Sequence, residues 1–213
     1  MFIDIEQEFN KMAGMKYLCL FLISCLVAQA EDLFDGLSLK NWGIQAAEKK
    51  WWRVEDQAVV GGSLVEKIPH NTFITTAKKY GDFELTLEVM VTGNHPNAGI
   101  QFRSERIENH HEMIGYQCDV GPGLWGRLYD ESRRRRFLVE WKSKEASQAA
   151  KEGWNRCRIR CEGSRIRIWI NQILTCDFTE TDPTIPLKGY IALQAHSGAP
   201  FEVRYRRIQI VEF

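Results

Sequence analysis

Asn155-Arg156-Cys157-Arg158-Ile159-Arg160-Cys161-Glu162 alternates polar and apolar residues, and Arg165-Ile166-Arg167-Ile168-Trp169-Ile170 does so again after the tight turn Gly163-Ser164. Successive side chains leave a strand on opposite faces, so each segment reads as a half-buried strand. A two-residue connection that contains glycine is a hairpin signal. It sets Cys161 against Ile166, Ile159 against Ile168 and Cys157 against Ile170. One face of the hairpin is then wholly apolar, and a slip of one residue would turn that whole set into water, which pins the register.

The pattern continues outward from this hairpin. Asn171-Gln172 is a second tight turn, pairing Ile170 with Ile173 and Arg167 with Cys176, so that Cys176 is expected to face away from Cys157 and Cys161. Phe83-Glu84-Leu85-Thr86-Leu87-Glu88-Val89 alternates cleanly, and Gly189–Ala195 and Val203–Val211 add strands on either side of Ser197-Gly198-Ala199-Pro200. Only Lys142–Glu152, with Ala146, Ala149 and Ala150 and a stop at Gly153, reads as a helix. About ten to twelve short strands with frequent turns predict an all-β sandwich or jelly roll. Neither a repeat nor a low-complexity linker divides it, so residues 31–213 read as one domain.

The N-terminus reads differently. Lys16 precedes the apolar run Tyr17–Val27, which ends in Ala28-Gln29-Ala30 and then the charged Glu31-Asp32. A basic start, a short apolar stretch and a small-x-small site describe a secretory signal peptide over residues 1–30. The polar segment Met1–Gly14 is unlike such a leader, and Met12 or Met15 is an alternative start. Leu22-Ile23-Ser24-Cys25 resembles a lipobox, but cleavage after Ala30 is the preferred reading. The run is shorter than the ~20 apolar residues a membrane span needs, and no second one follows, so the mature chain is expected to be exported, periplasmic or extracellular, with no membrane span.

Export permits disulfides, but Cys157 and Cys161 lie on one strand about 13 Å apart, beyond bridging distance. Cys118, Cys157, Cys161 and Cys176 are therefore expected as free, buried thiols. The 28 basic and 28 acidic residues cancel. Such neutrality argues against a nucleic-acid partner, whose binding rests on neutralising phosphates.

Leu33-Phe34-Asp35-Gly36-Leu37-Ser38-Leu39-Lys40-Asn41-Trp42 resembles the opening motif of the 3-keto-disaccharide hydrolase domain family. The likeness continues through Trp52-Arg53-Val54-Glu55-Asp56-Gln57, Tyr80-Gly81-Asp82-Phe83-Glu84-Leu85 and Asn97-Ala98-Gly99-Ile100-Gln101-Phe102-Arg103. It runs on through Gly115-Tyr116-Gln117-Cys118-Asp119-Val120, Gly126–Ser132, Trp154-Asn155 and Ile191–His196. The resemblance implies a concanavalin-like jelly roll of two curved antiparallel sheets with a sugar-binding groove. It also implies cleavage of 3-keto-glycosides by elimination and hydration, a net hydrolysis. Where many members carry glutamate this chain has Gln117, so the identity of the base stays open between Asp119 and His196.

Period-two geometry places Gln101 with Arg103, Gln117 with Asp119, and Gln194 with His196. Removing a C2 proton beside a ketone needs a base of tuned pKa, and the resulting enolate needs a cation or donors. Asp119 and His196 are the candidate bases, Arg103 the candidate enolate partner, and Tyr129 an acid or orienting group. Gln101, Gln117, Glu131 and Gln194 are candidate substrate contacts, and Trp125, in a Gly-rich loop beside Tyr129, a candidate stacking platform. Arg103, Gln117, Asp119, Tyr129, Gln194 and His196 are expected to line one groove. Arg133–Arg136 reads as a solvated hairpin face diluted by Asp130, Glu131 and Glu140. His110 and His111 with Glu108 and Glu112 lack fixed-ligand spacing, so no metal or cofactor is expected. The alternative to an enzyme is a non-catalytic carbohydrate-binding module, since the same fold serves both. A module would offer an aromatic platform with neutral amides, whereas an enzyme would gather carboxylate, histidine and arginine.

Overall fold

The computed structural model describes residues 29–213, so all but the last two residues of the proposed leader lie outside it. The strands are β1 (Glu31–Asp32), β2 (Trp42–Ile44), β3 (Trp52–Glu55), β4 (Ala58–Ser63), β5 (Thr72–Thr76), β6 (Phe83–Gly93) and β7 (Ala98–Arg106). After them come β8 (Met113–Val120), β9 (Leu128–Glu131), β10 (Asn155–Glu162), β11 (Arg165–Ile170), β12 (Ile173–Thr179), β13 (Tyr190–Ala195) and β14 (Phe201–Glu212). They form two antiparallel sheets. One has eight strands, ordered β12-β11-β10-β6-β14-β4-β3 with β1 added beside β14; the other has six, ordered β2-β5-β13-β7-β8-β9. This is the all-β jelly-roll sandwich expected, and the β10–β11 register pairs Cys161 with Ile166, Ile159 with Ile168 and Cys157 with Ile170, as read from the alternation.

The inward faces of the two sheets make one core. Leu85, Leu87 and Val89 of β6 and Cys157, Ile159 and Cys161 of β10 meet Ile100 and Phe102 of β7, Tyr116 and Cys118 of β8 and Leu193 of β13. The thiols of Cys118 and Cys157 touch across the sheets at 3.7 Å, and all four described cysteines are free. Tyr205 of β14 spans the core, and its hydroxyl donates to the carbonyls of the six-stranded sheet at Gly99 (3.0 Å) and Gln194 (2.7 Å). No helix among the described residues is long and apolar enough to cross a membrane.

Two expectations are corrected. Cys176 lies opposite Ile168, not Arg167, and is fully buried in the core with Cys157 and Cys161. A bulge takes up Thr175, whose Oγ1 donates to the Ile168 carbonyl at 3.1 Å, and the extra residue flips everything after it. The helix expected over Lys142–Glu152 shrinks to α1 (Lys144–Ser147), capped by Ser143 Oγ accepting from Ala146 N at 3.2 Å. A short 3-10 turn, Ala46–Trp51, that the sequence did not suggest buries Glu48.

Candidate active site

The outer face of the six-stranded sheet carries the polar residues left over from the core alternation. Gly99 lies between Gln194 and Asp119, Gln101 between Ala192 and Gln117, and Gln117 opposite Tyr129. A directed chain of hydrogen bonds crosses these strands. Ser104 Oγ donates to Gln101 Oε1 at 2.7 Å, Gln101 Nε2 to Gln117 Oε1 at 2.8 Å, and Gln117 Nε2 to Asp119 Oδ1 at 2.6 Å. Gly99 makes this possible, because a Cβ there would stand 2.7 Å from Gln117 Cγ. Gln117 thus orients the neighbouring carboxylate.

Above this layer opens a cleft of about 230 Å³. Asn97, Gln117, Asp119 and His196 line it from the sheet, with Asn71 from the segment leading into β5. Leu124, Tyr129, Glu131 and Phe137 line it from the β8–β9 connection, β9 and the segment beyond. His196 Nδ1 donates to the Ser197 carbonyl at 2.7 Å, which engages that ring nitrogen and leaves Nε2 outside this contact.

One side of the cleft is closed by a bent hairpin. Arg103 has a φ of +46°, and the β7–β8 register shifts between Phe102 and Glu105. This bulge leans the hairpin back over the sheet, so that Met113 packs on Phe73 and Ala192. Arg106 locks the bend, bonding Glu48 Oε2 at 2.9 Å and the Phe73 carbonyl at 2.6 Å. At the hairpin tip Glu112 accepts from Asn71 Nδ2 at 3.0 Å; beside it the His111 ring stacks on His110 and meets His70 at a tilt.

Two carboxyls in the cleft have their acidity shifted toward neutrality. Burial pushes Asp119 up to about 7, helped by the charge of Glu131 and opposed by the Gln117 amide and Arg127. Burial likewise raises Glu131 to about 7, helped by Glu112 and opposed by the Ser132 N–H and Arg135. Tyr129 is raised by burial and by the Glu131 and Asp119 charges, with Arg135 again opposing. Arg133 and Arg134 are tied to Asp130, and Arg134 also to Glu180. Arg135 is exposed and has no carboxylate at ion-pair distance among the described residues.

The structure therefore brings Gln117, Asp119, Tyr129, Glu131 and His196 to one cleft, and it places the remaining candidates elsewhere. Arg103 does not reach it. Its buried guanidinium bonds the carbonyls of Gly81 (3.0 Å) and Gly163 (2.7 Å) and Asp82 Oδ1 (2.9 Å), because its positive φ turns the side chain to the sheet's end. Gln101 and Gln194 are fully buried and absent from the lining; Gln101 supports Gln117, and Gln194 has both amide atoms unpartnered. Trp125 packs against the core while its carbonyl accepts from Trp141 Nε1 at 3.1 Å. Phe137, edge-on to Tyr129 at 5.2 Å, takes the aromatic place instead. Phe137 and Arg135 had no strand alternation to reveal them, since both follow a charged turn. Among the described residues no group of three or more His, Cys, Asp or Glu stands close enough to share a metal ion.

No curated protein matches the chain in sequence. Solved structures share its fold. A candidate glycosyl hydrolase from Parabacteroides distasonis superposes with a TM-score of 0.65 at 17% identity, over 86% of this chain and 94% of that one. The carbohydrate-binding module CBM66 from Bacillus subtilis gives 0.60 at 13% identity, over 81% and 96%. The exoplasmic/lumenal domain of VIP36, bound to calcium and Man3GlcNAc, gives 0.58 at 11% identity, over 88% and 89%. Identities this low speak for the fold alone. Residues 29–211 match the family model described as the 3-keto-alpha-glucoside-1,2-lyase-like domain, and the chain belongs to that family.

Proposed function

We propose that this chain is an exported enzyme that cleaves 3-keto-glycosides by elimination followed by hydration. The observation that carries the reading is the convergence of buried Asp119 and half-buried Glu131 with His196 and Tyr129 in one cleft, where burial raises both carboxyls to about 7. A groove serving only to hold sugar has no use for two carboxyls kept close to half-protonated; acid–base chemistry does.

The chemistry follows from the ketone. A carbonyl at C3 acidifies the C2 proton, because the electron pair left behind delocalises onto oxygen. Asp119, held by the Gln117 amide, removes that proton, and the C2–H electrons form the C2–C3 double bond of an enolate. Arg135, whose charge opposes the upward pKa shifts of Glu131 and Tyr129, is the cation assigned to the enolate oxygen. The enolate then collapses: the C3 carbonyl reforms, a C1–C2 double bond appears, and the C1–O bond breaks as Glu131 protonates the leaving oxygen. Water adds in the reverse sense. Glu131, now ionised, takes its proton as oxygen bonds C1, and Asp119, whose proton has by then exchanged with water, protonates C2. Both groups end as they began. His196 and Tyr129 bind and orient the sugar hydroxyls.

The test is to incubate the purified protein with a 3-keto-glucoside and follow the sugar by NMR in deuterated water. Release of the aglycone with deuterium appearing at C2 is expected, and Asp119→Asn should lose at least about a hundredfold in rate. Release without exchange at C2 would defeat the elimination route. The leader supports export, and N-terminal sequencing of the native protein should begin at Glu31; an intact leader in the cytoplasm would exclude it.

A further inference from the structure

The outer face of the eight-stranded sheet lies on the far side of the core from the cleft and plays no part in the reaction proposed above. Across β6, β10, β11, β12 and the bulge at Arg206–Arg207, seven arginines (156, 158, 160, 165, 167, 206, 207) stand with four carboxylates, Glu84, Glu88, Glu162 and Asp177. The chain as a whole is balanced at 28 against 28, so this surplus is local. Arg160 and Arg167 are directly opposed across the β10–β11 ladder, a pairing of like charges that costs stability. The carboxylates are shared: Glu84 between Arg158 and Arg160, Glu162 between Arg160 and Arg167, Glu88 between Arg206 and Arg207.

Two arginines are left with donors to spare. Arg158 is 3.7 Å from Glu84 and makes no hydrogen bond to it, and Arg156 has no carboxylate partner among the described residues. Both line a recess of about 350 Å³ with Trp169, Gln172 and Glu84, and Arg156 also borders a second recess of about 190 Å³ beside Arg207. The Arg158 guanidinium stacks on the Trp169 ring at 3.7 Å, and Arg206 stacks on Trp154 at 3.9 Å. Stacking holds a guanidinium flat with its N–H edge directed away from the ring, which suits bidentate capture of a carboxylate or sulfate. An indole wall beside such an edge suits a sugar ring.

We propose that this face binds an acidic oligosaccharide, with the charged group of one sugar on Arg156 and Arg158 and its ring against Trp169. Carboxylate-bearing and sulfated sugars share this chemistry, and the two are told apart below. The assignment does not rest on the catalytic reading.

The experiment titrates the full folded domain with trigalacturonate, with a sulfated trisaccharide of the heparin type, and with neutral maltotriose, following Trp fluorescence. One or both acidic ligands should bind, more weakly as salt rises, and maltotriose should not quench the same signal. The tighter of the two identifies the charged group. Arg156→Gln with Arg158→Gln should weaken binding about tenfold or more while leaving turnover of a 3-keto-glucoside and the melting temperature unchanged. Asp119→Asn should bind the acidic ligand as the wild type does. The proposal fails if neither acidic trisaccharide binds, or if the double variant binds as well as the parent. It fails equally if a single-stranded oligonucleotide of matched charge binds as tightly, since the face would then be an unselective polyanion surface.

Discussion

At the scale of single residues, Asp119 and Glu131 make the sharpest claims. Activity needs Asp119 ionised and Glu131 protonated, and both titrate near 7, so the rate should follow a narrow bell centred close to neutrality. Glu131→Gln should abolish the alkaline limb and spare substrates whose leaving group needs no proton; a profile that keeps that limb would remove Glu131 from the acid role. Stability gives an independent reading. Both groups have folded-state values above their unfolded ones, so the folded protein takes up protons between about pH 4 and pH 7, and stability falls as pH rises through that window. Asp119→Asn removes one such burden while keeping an oxygen for the Gln117 amide. It should therefore stabilise the protein at pH 8 by about 1–3 kcal/mol in urea melts and do little at pH 4. A variant less stable at pH 8 would mean that the carboxylate is held by contacts stronger than its burial. At this scale Gln117, Asp119, Tyr129, Glu131 and His196 were legible, because strand alternation and family motifs coincide on them. Arg103 was misplaced for one dihedral angle, which no pattern of residue types announces.

At the scale of elements, the bend in β7–β8 decides the shape of the site. Its parts come from distant segments: Arg103 tied to the Gly163 turn, Ser104 facing Gln101, and Arg106 on the buried Glu48. Gly189 passes so close to the Arg103 backbone that a Cβ there would collide with it. Arg103→Ala should leave the Gly81 and Gly163 carbonyls without this donor and Asp82 with the Gly163 N–H in place of the guanidinium, costing about 2–4 kcal/mol by thermal or urea melts. Activity should drop with stability and recover at low temperature. Arg135→Gln should do the opposite, lowering kcat without moving the melt. If the two variants exchanged these signatures, the cation assignment in the cleft would be wrong. The β10–β11 ladder was readable in full because both its faces alternate without interruption. The β11–β12 ladder was readable only as far as Thr175, since a bulge changes parity and leaves no mark in composition. The short α1 falls below the expected helix: Ala146 is its one buried residue, while Ala149 and Ala150 pack against the core from the segment beyond it.

At the scale of the whole molecule, the sandwich keeps its two faces chemically apart. Acids of raised pKa gather on one, a cluster of arginines that share too few carboxylates on the other, and the core between them is sealed by Tyr205 bridging the sheets. The fold class was plain from the count and rhythm of strands, but which polar face would be roofed was not. That depends on how a hairpin leans, a property of backbone bends and of a single buried ion pair. The four core cysteines turn this architecture into a clock. Burial raises Cys161 and Cys176 to about 12, and the Cys157 contact together with burial holds Cys118 well above a free thiol, so in the closed sandwich these three present almost no reactive thiolate. An alkylating reagent can reach them only when the sheets part. Four thiols should label, all at one slow rate that tracks global unfolding and rises together with denaturant. A thiol that labels early would mark a local opening, and fewer than four would mean that the Cys118–Cys157 contact had been oxidised. The interior thus reports, in chemical yield per hour, how often the two sheets come apart.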